Sequence, residues 1–171
     1  MDARERYWAM YCDIKHKERY FWHYRIDTTR VWALVTSICL LVSVPSISAL
    51  ILWDYAPWLW AAIAAVAQLL QFSTPYLPFT KRMTAFRYLC TQLDSLLVEI
   101  SGEWNNIDIE NYKDKRIMNL INQYRRRYND IHARYMSDIT LPLKARHDKR
   151  AKADCKKYFF LNYNMQEVEH G

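Results

Sequence analysis

Two hydropathy patterns divide the chain. From about Arg4 to Arg30, aromatic residues recur at Tyr7, Trp8 and Tyr11 and again at Tyr20, Phe21 and Tyr24. Charges separate them, and no Pro or Gly interrupts. That three-to-four spacing predicts one face of a helix. From Val31 the pattern changes. Val31–Trp53 gives 23 uncharged positions and Tyr55–Thr80 another 26, and Asp54 is the single charge between residues 31 and 80.

After Lys81 and Arg82 the helical period returns. Arg82–Ile100 predicts an amphipathic helix on which Phe86, Leu89, Leu93, Leu96 and Ile100 alternate by three and four, the seam spacing of a bundle or an oligomeric coiled coil. Gly102 is expected to end it, with Trp104 and Ile107 covering an edge of the core. A third helix is expected over about Ile109–Ser137, with Ile117, Leu120, Ile121, Tyr124, Ile131 and Tyr135 inward. Leu141-Pro142 breaks the chain. A last helix, about Leu143–Glu167, turns Ala151, Tyr158, Phe159 and Tyr163 inward. No strand pattern occurs. The expected fold is all-α: an N-terminal amphipathic helix (1–30), a two-helix transmembrane hairpin (31–80) and a cytoplasmic helical domain (81–171).

The hairpin follows from length. A hydrocarbon core of about 30 Å needs roughly 20 apolar helical residues, and each uncharged stretch reaches that. The spans are placed at about 31–53 and 56–80. Asp54 and Pro57 suit the start of the second helix, one as a cap and the other in the first turn. Trp53, Tyr55, Trp58 and Trp60 sit at that end like an interfacial belt. The block begins too deep in the chain for a cleavable signal. Residues 1–30 hold seven Lys or Arg and residues 81–87 hold three, while the turn holds none. The positive-inside rule therefore puts both termini in the cytoplasm.

Polar side chains within the spans are mild. Gln68 and Gln71, three apart, share a helix face, and Ser43 and Thr74 add hydroxyls. They either bond within and between helices or line a polar path through an assembled pore. No Asp, Glu, Lys or Arg lies mid-span, which argues against a proton relay, a charged ion-binding transporter site or a voltage sensor.

Residues 103–171 carry fourteen Lys or Arg against ten acids. Arg125, Arg126 and Arg127 with Lys149 and Arg150 form either a solvated cytoplasmic surface or a docking face for an acidic regulator or a phosphate-bearing ligand. Nucleic acid is disfavoured, because five acids interrupt the basic residues of the N-terminal segment. The five histidines show no metal-ligand spacing, and two glycines cannot build a phosphate cradle. Neither an enzyme nor a cofactor is expected. The four cysteines lie far apart without a CxxC pair, so no disulfide is expected in a reducing compartment.

The order of elements, and above all the stretch AVAQLLQFSTPYLPFTKRMTAFRYLCTQLDSLLVEISGEW (Ala65–Trp104), resembles the SLATT domain family of two-span proteins from bacterial nucleotide-sensing conflict systems. There a second span ends in polar and proline residues, followed by a basic pair and a leucine-striped helix. The resemblance is architectural and supplies no catalytic residues. It implies the effector of an antiviral defence module, a homo-oligomer in the bacterial inner membrane that permeabilises it on a separate partner's signal and arrests or kills the cell. The alternative is a membrane-anchored scaffold or regulatory subunit that tethers a partner through its basic tail. A holin-type lysis protein also fits two spans and a basic tail.

Overall fold

The computed structural model describes residues 2–43, 58, 62, 65, 66, 68, 69, 78–137 and 142–163. Most of them fall in four helices, α1 (Ala3–Ser43), α2 (Pro78–Ile109), α3 (Asp114–Met136) and α4 (Ala145–Tyr163), and residues 58, 62, 65, 66, 68 and 69 are helical as well. The described residues contain no strand, and the fold is all-α. The contacts divide the chain into two units, Met1–Arg25 with Ala85–Gly171, and Ile26–Thr84.

The first unit is an up-down-up-down bundle, and aromatic contacts fix its directions. Tyr7 on α1 stacks on Trp104 near the end of α2, while Tyr24 lies against Phe86 near its start. The same logic sets α3 antiparallel to α2, through Tyr88 with Tyr135 and Glu99 with Arg127. It also returns α4 along α1, through Trp8 with Tyr163 and Tyr24 with His147. The short stretches from α2 to α3 and from α3 to α4 suit this topology, whereas the parts of α1 and α2 in this bundle are joined through residues 26–84.

Burial follows the helical period. Phe86, Leu89, Leu93, Leu96 and Ile100 are all 1% exposed or less. Each such side chain contributes about 1.5–3 kcal/mol of burial free energy. They fall into two adjoining clusters, one with Phe21 and Met136, the other with Tyr7, Tyr11, Ile117 and Ile121. The N-terminal segment is thus a core helix of the bundle. Its aromatic face meets α2 and α4.

Two expected boundaries move. Gly102 does not end α2: the helix continues to Ile109, because Ile107 is buried and Trp104 packs against the same core on the far side of the glycine. It ends where Asn111 takes a left-handed φ of 46°, a conformation Asn tolerates. The third helix starts at Asp114, five residues later than the periodicity suggests.

In the second unit apolar side chains face outward. Leu34 is 61% exposed and Leu69 68%, and Val31, Ile38, Leu40, Trp58 and Val66 are exposed as well. Among the described residues no helix is long and apolar enough to cross a membrane. Most of the expected hairpin, including the 54–57 turn and the larger part of its second span, lies outside the described residues.

Candidate functional site

Of the expected pore-lining residues, Gln68 is a described helical residue with an exposed side chain. Ser43 is the last residue of α1, its side chain outside the described set, and Gln71 and Thr74 lie outside the described residues. The five seam residues are buried within one chain, so a coiled-coil contact between copies would have to draw them out of the core.

The expected basic face is split. Arg125 and Arg126 are exposed on α3. Arg127 turns back to clasp the Glu99 carboxylate of α2 with both guanidinium nitrogens, Nη2 donating to Oε1 at 2.9 Å. That bond holds the Glu99 carboxyl below the usual range. Arg127 therefore ties two helices together, while Arg125 and Arg126 beside it make no such tie among the described residues. Lys149 and Arg150 belong to a different helix, α4, where they share an outward face with Arg146, Lys156 and Lys157.

Pattern reading missed the polar seam between α1 and α4. Lys15 and Glu18 pair at 2.9 Å, almost fully buried, and the Glu18 oxygen also lies 3.4 Å from Nε of Arg19. The Lys15 ammonium sits 4.6 Å from the centre of the Tyr158 ring, a cation–π contact. His16 meets Asp148 at 3.0 Å and His23 meets Asp154 at 2.8 Å. Tyr11 shares hydroxyl bonds with Tyr158 and Tyr163, at 3.1 and 3.3 Å. One signal was available beforehand. His16 and His23 stand seven apart on α1, two helical turns, and Asp148 and Asp154 are the two acids of α4.

The described cysteines of the bundle offer little reactivity. Burial pushes the Cys12 and Cys90 thiols up to about 11 and Cys155 to about 12. Protonated thiols are poor nucleophiles and poor metal ligands. All three are free cysteines. Among the described residues no three His, Cys, Asp or Glu side chains converge as a metal site would need. The arrangement joins helices and presents charge. Comparison with protein-family models, curated proteins and solved structures returns no match.

Proposed function

We propose that the chain is a membrane effector of a bacterial antiviral defence system. It crosses the inner membrane twice with both termini in the cytoplasm, oligomerises, and opens a pore or disrupts the bilayer when a separate sensor protein signals infection. The outward-facing apolar side chains of Ile26–Thr84 carry this reading. In water that segment would hold several large apolar groups exposed in a run where only Asp54 is charged between residues 31 and 80; in lipid that arrangement costs nothing. The architectural likeness to SLATT proteins supplies the biological setting. Dye release from liposomes by the purified full chain tests it, with Gln68→Leu/Gln71→Leu as the variant pair. Release is expected from the native protein and a clear loss from the pair. Absence of leakage, together with an intact membrane potential on expression, would sink the pore; normal leakage from the pair would sink only its assigned lining.

A second reading is a membrane-anchored scaffold that holds an acidic partner through the tail. Arg125 and Arg126 favour it, both exposed and, among the described residues, in no ion pair. Under this reading Arg125→Glu/Arg126→Glu abolishes partner capture without destabilising the bundle, and the native protein leaves liposomes sealed.

A further inference from the structure

We propose that the outward face of α4 docks on the anionic headgroups of a phospholipid leaflet. The buried side of this helix is a stripe at His147, Ala151, Cys155 and Phe159. Opposite it stand Arg146, Lys149, Arg150, Lys156 and Lys157, all exposed and, among the described residues, none in an ion pair. The two acids of the helix are engaged to either side of this face. Asp148 turns to His16 and Lys152, and Asp154 turns to His23. A helix with acids at two positions has directed both toward its neighbour or its own flank, which leaves one sign of charge facing out.

Apolar side chains bracket that charge. Phe160 is 53% exposed and Leu161 68% at the end of the same face, and Leu143 stands 93% exposed just before the helix. A basic helical face ending in an aromatic and an aliphatic residue matches an interface, where cations meet phosphates and the apolar groups enter the acyl boundary. Three of the five cations are lysines. Lysine is a flexible point charge suited to a diffuse anionic surface, and the two arginines can fork onto headgroup phosphates. The proposal deepens the membrane reading by naming what the tail meets, and it rests on that reading only for bringing a leaflet within reach.

The full chain is reconstituted in nanodiscs of phosphatidylcholine alone or mixed with phosphatidylglycerol, and lysine acylation is followed by mass spectrometry. Lys149, Lys156 and Lys157 are expected to react several-fold more slowly in the anionic discs, with Lys113 and Lys115 unchanged. About 0.5 M salt, where screening acts within roughly 4 Å, restores their reactivity. Arg146→Glu/Arg150→Glu keeps all three probes. Because each basic side chain adds roughly fivefold to leaflet binding, the variant weakens docking by at least about 25-fold and the protection disappears. Equal labelling in both lipids overturns the proposal. So does salt-insensitive protection in phosphatidylcholine, and so does protection by soluble polyglutamate but not by the anionic discs, which assigns the face to an acidic protein. Alkaline carbonate extraction of the same protein from phosphatidylcholine vesicles reports separately on the hairpin: a chain released there lacks the spans, and its α4 lysines are then probed with anionic vesicles in the same way.

Discussion

Lys15 and Glu18, one turn apart on α1, form an ion pair of 2.9 Å with side chains only 7% and 2% exposed. Such a pair gains its Coulomb energy only after both ions leave water, so its presence is weak evidence of net stabilisation. Removing one partner is another matter, since the survivor stays buried and charged. Glu18 has a second cation in Arg19 at 3.4 Å, whereas the main support left to Lys15 is the Tyr158 ring.

The two deletions should therefore differ. Glu18→Gln strands Lys15 and is expected to cost about 3–5 kcal/mol. Lys15→Met leaves Glu18 near Arg19 and costs less. The double variant Lys15→Met/Glu18→Leu recovers most of the loss or exceeds the native stability. Urea unfolding in detergent, followed by tryptophan fluorescence, orders the three. A Glu18→Gln protein as stable as the double variant would show that water reaches the pair.

The seam on α2 separates a bundle from an oligomer contact. Leu93 is fully buried in one chain's core, packed with Phe86, Leu89, Phe21 and Met136. Leu93→Ala is expected to cost about 2–5 kcal/mol, the range set by how far the cavity collapses. That loss should be the same at every protein concentration. A midpoint that falls on dilution in the native protein but not in the variant would assign Leu93 to contacts between copies.

Alkaline conditions should loosen the bundle before mild acid does. Burial raises the Tyr7 and Tyr11 phenols, Tyr11 also through its bonds to Tyr158 and Tyr163, and raises Cys90 to about 11 and Cys155 to about 12. A raised group holds its proton in the fold, so its contribution is complete below its unfolded value, near 9 for the thiols and 10 for the phenols. It drains away as pH climbs through the folded values. Glu99 runs the other way: lowered by its bond to Arg127, it contributes above about 4.5 and loses that contribution as pH falls. With side chains 42% and 45% exposed that pair is solvent-screened and adds little. Thermal melts across pH 8–12 should fall steadily beyond about 9. The same decline in Tyr11→Phe would remove Tyr11 from the account.

What the sequence pattern disclosed depended on what each residue was doing. Phe86, Leu89, Leu93, Leu96 and Ile100 were legible because apolar burial has a period, and the period survives any detail of packing. Lys15 and Glu18 were not, because a charge on an amphipathic helix is read as outward, and only the partner helix reveals the Tyr158 ring that covers it. Arg127 was grouped with Arg125 and Arg126 by adjacency, yet adjacent residues on a helix point about 100° apart, and only the third faces Glu99. The Gln68 and Gln71 face was read from spacing alone, and Gln68 alone falls among the described residues.

Gly102 gives the cleanest energetic test, because it is a helix breaker by propensity that the fold has kept inside a helix. It lies within α2 without a positive φ, exposed, and a Cβ built there meets nothing within 4 Å. Glycine in a helix interior costs roughly 0.5–1 kcal/mol relative to alanine, mostly in the entropy of the unfolded chain. What carries the helix through it is packing on both sides, Ile100 before and Trp104 and Ile107 after. Gly102→Ala should therefore stabilise the bundle by about that amount, with no loss of dye release. Gly102→Pro should cost about 3 kcal/mol or more, since it removes a backbone donor and clashes with the preceding turn. Urea midpoints of the two variants measure both. If alanine destabilises, the exposed side of α2 at Gly102 is covered in the working protein, and the position belongs to an interface between chains.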